Sequence, residues 1–348
     1  MRRLPFFLFL FLCAGALLAS ARAGVTTATK TVGGPGDFSS CGTANPPTLC
    51  DGVTQASATF QISYDDVTKV LVLVVTNTSP VTAGVPNPLL SQIYFNVPAF
   101  AATGLTLLSQ TAATDGPDPG FALEFDPDLN DGDNGTTAPG FCAFNAKLDQ
   151  LTETPGGIAN ALADTISAPA GTYVVGPVTF TFQVGGPPAT GVRGSSFARS
   201  FSQIPPGNFR VNVVGKFKEG GFSDASGSMS NKPDCEPGNW IVGTPCLGCP
   251  IQFVMCGGAG CFGCLAISAF AGPIVLPTPT GDVTIPIGMP ATPVFIATVP
   301  PTTCLSASAT VPNMPELLGL TFYLANALID PATGKLSVSE GFSVTIVS

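Results

Sequence analysis

The 348-residue sequence contains no histidine. This absence excludes Ser-His-Asp and Cys-His catalysis, histidine-ligated zinc and any histidine-based pH switch. Charged residues are also scarce, at 10% of the chain, whereas long amphipathic helices use many charges to solvate their outer faces. Together with 40 glycines and 34 prolines, this scarcity indicates a β-rich protein without long helices.

The N-terminus has the pattern of a secretory signal peptide. A basic start, Met1-Arg2-Arg3, precedes an apolar run over residues 4–18 and the cleavage pattern Ala21-Arg22-Ala23. The run is shorter than the roughly 20 residues that a membrane-spanning helix needs. We therefore expect cleavage after Ala23, with a retained anchor or a lipid on Cys13 as the alternatives. No membrane span is expected in the mature chain.

The charge of the mature chain is strongly negative. Removal of residues 1–23 leaves 10 basic and 22 acidic side chains, a formal charge of −12. Nucleic acid and anionic lipid are poor partners for such a field, whereas metal cations and cation-bridged surfaces are better ones. The sequence thus predicts an extracellular or cell-surface protein with no identified partner, whose contacts with envelope or matrix components are mediated by cations.

Short apolar or alternating segments recur along the chain between turn residues. Residues 60–64 and 70–75 predict a hairpin around a polar turn. Further strands are predicted at 92–97, 104–109, 121–125, 178–184 and 209–214, and a two-turn helix is predicted at 157–166. This pattern is typical of an antiparallel sandwich.

The sequence predicts an all-β protein with two antiparallel β-sandwich domains, of jelly-roll or immunoglobulin-like type, joined by a Cys- and Pro-rich segment. The predicted parts are a signal peptide at 1–23, a disulfide-closed N-terminal loop at 24–52, a main sandwich at 53–218, a Cys-rich linker at 219–264, and a smaller C-terminal sandwich at 265–348. The boundary follows the loss of apolar periodicity after residue 218.

Ten cysteines follow the predicted leader, an even number in a chain expected in an oxidising compartment. We predict disulfides, with Cys41 and Cys50 paired locally and the cluster at 235–264 paired chiefly within itself. The alternatives are thiol redox chemistry and a zinc knuckle, since two Cys-x₂-Cys pairs are separated by 11 residues. The predicted disulfide cysteines are Cys41, Cys50, Cys142, Cys235, Cys246, Cys249, Cys256, Cys261, Cys264 and Cys304.

An acidic segment at 126–135 offers the hard oxygen ligands that Ca²⁺ prefers. The candidate ligands are Asp126, Asp128, Asn130, Asp131 and Asp133. The segment departs from an EF-hand loop because its glycine comes one place late and Thr137 replaces the bidentate glutamate. The two interpretations are a solvated acidic turn and a calcium-binding loop, and no other cofactor is expected.

Hydrolysis by a carboxylate pair is the enzyme class that survives the lack of histidine. Glu124 and Asp149 are the first acids to test. The aromatic residues are mostly phenylalanine, which fills cores, and the single Trp240 is interpreted as a packing residue beside the cysteine cluster.

Several phrases together resemble a family of exported bacterial proteins. They are Tyr64-Asp65-Asp66, residues 70–76, the stop Asn77-Thr78-Ser79-Pro80, residues 93–98 and 201–207, and Lys216-Phe217. They resemble uncharacterised exported β-sandwich proteins of the kind related to PEP-CTERM-tailed extracellular proteins. The resemblance implies a fold and an extracellular location but no activity. Since no tail follows Ser348, retention through such a tail is not expected.

Two hypotheses of function follow. The first is a secreted, non-catalytic structural or adhesive envelope or matrix protein, stiffened by Ca²⁺ if the acidic loop binds it. The second is a secreted carbohydrate-binding module or a histidine-free carboxylate glycosidase. A concave, acid-lined cleft with exposed aromatic side chains would favour the second.

Overall fold

The computed structural model describes residues 24–33, 37, 39–41, 56–81, 87–111, 120–127, 136–138, 141, 143–150, 157–160, 173–200, 211–219, 226–230, 235, 237–258, 260–278, 281–300 and 304–348. These residues are nearly all β, with one α-helix, α1 (Gly194–Ala198), and one 3₁₀-helix (Pro315–Leu317). The all-β prediction is therefore confirmed. Within the same residues, no helix has the length and apolarity needed to cross a membrane.

The first part of the chain forms two sheets that pack face to face. Its strands are β1 (Thr26–Val32), β2 (Ser39–Cys41), β3 (Ala58–Asp65), β4 (Val70–Asn77), β5 (Pro88–Phe95), β6 (Gly104–Thr111), β7 (Phe121–Phe125), β8 (Thr136–Thr137), β9 (Ala143–Phe144), β10 (Ala146–Gln150), β11 (Gly157–Ala159), β12 (Tyr173–Val175), β13 (Val178–Gly185), β14 (Ala189–Thr190), β15 (Val213–Glu219) and β16 (Ser226–Ser230). One sheet has the order β1-β3-β4-β13-β6. The other has the order β12-β11-β5-β15-β16-β2, with β10 between β5 and β7. β8 and β9 form a separate two-stranded sheet, and β14 belongs to a sheet of the second part.

The core of this sandwich follows from strict alternation along its central strands. In β13, Val178, Phe180, Phe182 and Val184 are buried while the threonines and glutamine between them are half-buried. Side chains alternate between the two faces of a strand, so this pattern sends one apolar row into the space between the sheets. Phe180 packs edge-on against Phe121 of the opposite sheet with ring centroids 5.4 Å apart. Aromatic contacts of this kind join the two sheets.

The predicted hairpin and strands are found with small shifts. β3 and β4 pair antiparallel from Ala58↔Asn77 to Asp65↔Val70, and the Asp65 carboxylate accepts the backbone N–H of Val67 at 2.9 Å in the turn. The strand predicted at 209–214 starts later, at Val213. The boundaries of strands depend on their partners, which short sequence windows do not contain.

The prediction of a helix at 157–166 is wrong for residues 157–159. Gly157–Ala159 forms β11, which pairs parallel with β12 and antiparallel with β5. Ile158 is fully buried, and a Cβ on Gly157 would collide with the carbonyl oxygen of Leu90. The close approach of a neighbouring strand thus overrides the Ala- and Leu-rich composition, while residues 161–166 lie outside the described part of the chain.

The rest of the chain forms smaller sheets. Its strands are β17 (Gly238–Val242), β18 (Pro250–Cys256), β19 (Phe262–Ser268), β20 (Ile274–Thr278), β21 (Gly281–Ile285), β22 (Ala291–Thr298), β23 (Cys304–Thr310), β24 (Thr321–Ile329), β25 (Leu336–Val338) and β26 (Phe342–Thr345). Their sheet orders are β14-β17-β18-β23 and β22-β19-β24-β25, with β26 also on β24, and β20 pairs with β21. The segment 219–264, predicted as a linker, thus contributes strands, and the division into domains stays a prediction.

Three disulfides cross-link this second part. They are Cys235–Cys261, Cys246–Cys249 and Cys256–Cys304. The disulfide prediction is confirmed for these six cysteines, two of the bonds lying within the predicted cluster. Cys41 lies in β2, whereas Cys50 and Cys142 lie outside the described residues, so the pairing of Cys41 with Cys50 stays a prediction.

Cys264 differs from the expectation because it carries a free thiol. It faces Ile296 of β22 and Ala327 of β24 in the sheet register, so neither partner strand places a cysteine opposite it. Burial raises the pKa of the Cys264 thiol. Three of the four cysteines of the alternative zinc knuckle are bonded in disulfides.

Trp240 joins the two parts of the chain. It lies on β17, is 1% exposed, and belongs to the same core as the sandwich phenylalanines. Its indole Nε1–H donates to the carbonyl oxygen of Ala99 at 3.0 Å. The interpretation of Trp240 as a packing residue is confirmed.

Candidate functional site

The densest group of polar side chains in the described residues lies on the outer face of the second sheet. Glu124 of β7 is opposite Lys147 of β10, and Lys147 is opposite Tyr94 of β5. One step along, Asp149 of β10 is opposite Gln92 of β5. Because positions i and i+2 of a strand share a face, these five residues form one polar row across three strands.

Hydrogen bonds connect every member of the polar row. The Lys147 ammonium lies 3.0 Å from Glu124 Oε1 and 2.7 Å from Asp149 Oδ2. The other oxygen of Asp149 accepts a hydrogen bond from Gln92 Nε2 at 2.8 Å. Gln92 in turn accepts one from the Tyr94 hydroxyl at 2.6 Å. A single ammonium therefore links two carboxylates that are far apart in the sequence.

The pKa values of the row follow from this arrangement. Burial alone would lower the pKa of Lys147, but the hydrogen bonds to Asp149 and Glu124 outweigh it, and the pKa is raised above its ordinary value. Burial, with the Asp149 and Glu124 charges, raises the pKa of the Tyr94 hydroxyl. Lysine stays charged and tyrosine stays neutral at physiological pH.

Lys216 extends the row on the next strand, β15, where it is opposite Gln92. Burial lowers the pKa of Lys216, and the nearby Lys218 charge acts in the same direction against the attraction of Asp149. Its neighbour on β16 is Ser228, which is buried and whose Oγ has no hydrogen-bond partner within the described part of the chain. The two lysines of one sheet face thus differ, since only Lys147 has direct acidic partners.

A small apolar cluster covers one end of the polar row. Tyr94 packs against Phe144 of β9 with ring centroids 5.7 Å apart, and Phe141 and Val214 complete the contact. The short β8–β9 hairpin therefore lies over the sheet face and buries the Tyr94 ring. This cover explains why the tyrosine is buried although it points away from the main core.

Of the predicted calcium ligands, the structure describes only Asp126, which follows the last residue of β7. The backbone N–H of Asp126 donates to the Asn145 carbonyl at 2.8 Å, and Asn145 Nδ2 donates to the Asp126 carbonyl at 3.0 Å. Asp128, Asn130, Asp131 and Asp133 lie outside the described residues. Among described residues, no three His, Cys, Asp or Glu side chains form a metal-binding group.

The structure brings together the two acids that the sequence singled out, Glu124 and Asp149, but places Lys147 between them. Lys147, Gln92 and Tyr94 were not among the residues predicted from the sequence to form a site. Their signal was present as polar residues two apart, in Gln92-x-Tyr94 and Lys147-x-Asp149, which share a strand face. Such a pattern does not give the register that aligns the three strands.

Comparisons with known proteins identify no family for this chain. No family model and no curated protein matches it. Among solved structures, the Streptococcus agalactiae AgI/II polypeptide BspA C-terminal domain aligns with 79% of this chain and 92% of its own, at 10% identity and a TM-score of 0.18. A second structure, described as BspA_C_WT, aligns with 79% and 93% at 10% identity and a TM-score of 0.17. Scores this low support no inference about fold or function.

Proposed function

We propose that this chain is a secreted, non-catalytic structural or adhesive component of a bacterial envelope or extracellular matrix. Disulfides persist in oxidising compartments, so the three bonds of the second part fit an exported protein. The polar row is the observation that carries the non-catalytic part of the proposal.

A carboxylate-pair glycosidase needs one protonated carboxyl group and a second carboxylate, both facing the scissile bond. In the polar row, the Lys147 ammonium bonds to Glu124 and to Asp149, and Gln92 holds the remaining Asp149 oxygen. The ammonium offsets one of the two negative charges, and these contacts occupy three of the four carboxylate oxygens. The arrangement favours a structural cross-strand tie over acid–base chemistry.

The aromatic residues also argue against sugar binding by the usual stacking platforms. Trp240, Tyr64 and Tyr94 are all buried. Stacking on a sugar ring requires an exposed aromatic face, which these three side chains lack. Of the tryptophan and tyrosines, only Tyr173 and Tyr323 are half-exposed.

The second part presents an apolar surface suited to contact. Phe262 and Ile329 are opposite each other on β19 and β24, and Ile296 lies on the same face of β22. All three are more than 40% exposed. Exposed apolar side chains grouped on one face often mark interaction surfaces. We define Phe262, Ile296 and Ile329 as the apolar face and propose that it contributes to attachment.

Two experiments test this function. Purified, oxidised protein assayed against glycan, ester and peptide substrates should give no turnover above background. A saturable activity that disappears in Asp149→Asn or Glu124→Gln would contradict the proposal. In the producing bacterium, deletion should weaken surface attachment or envelope integrity, and Phe262→Ser with Ile329→Ser should reproduce part of that loss. Phe100→Ser, an exposed phenylalanine of the sandwich, is the matched control.

Calcium stiffening of the 126–135 segment is part of the same proposal. Extracellular sites need a Kd of only about 10⁻⁴–10⁻³ M. Calcium should therefore raise the melting temperature of wild-type protein and leave the Asp128→Ala, Asp131→Ala double variant unchanged. If about 10 mM calcium, ten times the weakest of these Kd values, does not shift the wild type, the loop is a solvated turn.

A further inference from the structure

A small cleft, partly open to solvent, lies where α1, β17 and the turn between β25 and β26 meet. Arg193 and Arg199 flank α1, and they line the cleft together with Asn239, Ser339 and Glu340. These are both of the arginines in the described part of the chain. The two described arginines therefore lie at one place on a protein whose formal charge is −9.

The two guanidinium groups are only partly engaged by the protein. Arg193 Nη1 lies 2.8 Å from Glu340 Oε2, and its Nη2 donates to the carbonyl oxygen of Gly341 at 2.6 Å. Arg199 Nη1 donates to the Pro237 carbonyl oxygen at 3.0 Å. A guanidinium has five N–H donors, so Arg199 has donors left for another acceptor. The Glu340 carboxylate shows that the rim of this cleft already accommodates an oxyanion.

Asn239 is a second, independent indication of a missing acceptor. It is 6% exposed, and its Nδ2 has no hydrogen-bond partner within the described residues. Buried side-chain donors are nearly always paired, so an unpaired one at a cleft wall points to an acceptor. Asn326 Oδ1, which is also unpaired, is not part of the cleft lining.

Ser339 adds a hydroxyl to the same wall. Its Oγ accepts the backbone N–H of Asn326 at 2.9 Å, which leaves the hydroxyl hydrogen free to donate. The lining thus contains arginine, amide and hydroxyl donors and a single carboxylate, Glu340. Such a donor set matches oxygen atoms that carry negative charge.

We propose that this cleft binds a small oxyanion, a carboxylate, sulfate or phosphate group, through Arg199, Asn239 and Ser339, with Arg193 at the rim. The site is independent of the proposed structural function. Glu340 is an internal competitor, because its carboxylate already binds Arg193 and a ligand would have to share that guanidinium. Removing the Glu340 charge should therefore strengthen binding.

The test is calorimetric titration of the oxidised full chain with sodium sulfate, sodium phosphate and sodium glucuronate at constant ionic strength. We expect saturable binding of at least one anion, and its identity distinguishes tetrahedral from planar groups. Arg199→Gln should weaken that binding by about tenfold or more, as expected for the loss of a charge-assisted contact. Glu340→Gln should tighten it, and Lys335→Gln, an exposed cation outside the cleft, should leave it unchanged.

Two results would overturn the proposal. One is a heat of titration that rises linearly with concentration for all three anions and never saturates. The other is binding that is the same in wild type, Arg199→Gln and Glu340→Gln. If Arg199→Gln fails to fold, the exposed Glu340→Gln variant decides alone, since unchanged or weaker affinity in that variant contradicts the competition described above.

Discussion

Among the described residues, the core of the sandwich contains 33 buried residues, three of them on β17 and β18, whereas the second part adds two clusters of six. The three disulfides whose bonds lie in the described residues are all in the second part. Alternation is regular in β3, β4 and β13 of the sandwich but poor in β22, where every residue is exposed or half-buried. We infer that packing contributes most of the stability of the sandwich and that the cross-links add stability to the second part, where the described core clusters are small. One of them, Cys256–Cys304, also contacts the sandwich core.

The largest expected effect is in the sandwich core. Phe180 is fully buried between Phe121 and Phe182, so Phe180→Ala should lower the free energy of unfolding by about 3–5 kcal/mol. Phe262→Ala, at a side chain that is 49% exposed, should change it by less than about 0.5 kcal/mol. Urea unfolding of both variants measures the difference. Equal losses of unfolding free energy in the two variants would show that the sandwich core does not stabilise the protein more than the exposed position does.

The second effect concerns the disulfides. Cys256–Cys304 links residues 48 apart, so its replacement by two serines should cost about 4 kcal/mol in a chain-entropy treatment. Cys246–Cys249 spans only three residues, and the same replacement should cost about 1.5 kcal/mol. Thermal unfolding under non-reducing conditions should rank the two variants in this order. The reverse order would show that the longer cross-link is not the one that stabilises the second part.

The third effect tests the connection between the parts. Trp240→Phe keeps an aromatic ring in the core but removes the donor to the Ala99 carbonyl, which should cost about 1–3 kcal/mol. The substitution should also separate the unfolding of the two parts, because Trp240 lies on β17 and packs in the sandwich core. Calorimetry would then show a broader or split transition. The control is Phe100→Leu, a substitution at the exposed residue that follows Ala99, and it should leave a single transition.

The smallest effect is in the polar row. Lys147→Met should cost no more than about 1 kcal/mol, because the ion pairs lie at a partly exposed sheet face. Since the folded pKa of Lys147 is raised, its contribution is complete below the ordinary pKa of 10.5 and is lost as pH rises through the folded pKa.

Lys216 should show the opposite pH dependence, because its pKa is lowered in the folded state. Its charged form opposes folding, so Lys216→Met should raise stability at neutral pH, and that gain should shrink as pH rises through the unfolded pKa. Urea midpoints of wild type and both variants from about pH 8 to pH 11 measure the opposite slopes. If the urea midpoints of the two variants change with pH in the same direction relative to wild type, the assignment of Lys147 as ion-paired and Lys216 as unpaired is wrong.

Much of the sandwich is predictable from local sequence patterns, but the polar row is not. Residues 178–184 alternate so regularly that they predict β13, and the Asp65 turn predicts the β3–β4 hairpin. The polar row needs Glu124, Lys147 and Gln92 in register, and they come from three strands separated by long connections. Register depends on those connections and on core packing, which a local window does not contain.

The cysteines show the same limit. Cys246-x₂-Cys249 and Cys261-x₂-Cys264 have the same spacing, but the first pair bonds internally while Cys261 bonds to Cys235. The difference arises because Cys264 lies within β19, where its neighbours across the sheet are Ile296 and Ala327. Spacing alone cannot distinguish a turn that closes a bond from a strand that prevents one.

Hydrogen exchange before and after reduction separates the contributions of packing and of the disulfides to stability. If packing stabilises the sandwich and cross-links stabilise the second part, reduction should remove protection from β19 and β24 while β4 and β13 keep theirs. Equal loss of protection in all four strands, or unchanged protection in β19 and β24, would contradict the account.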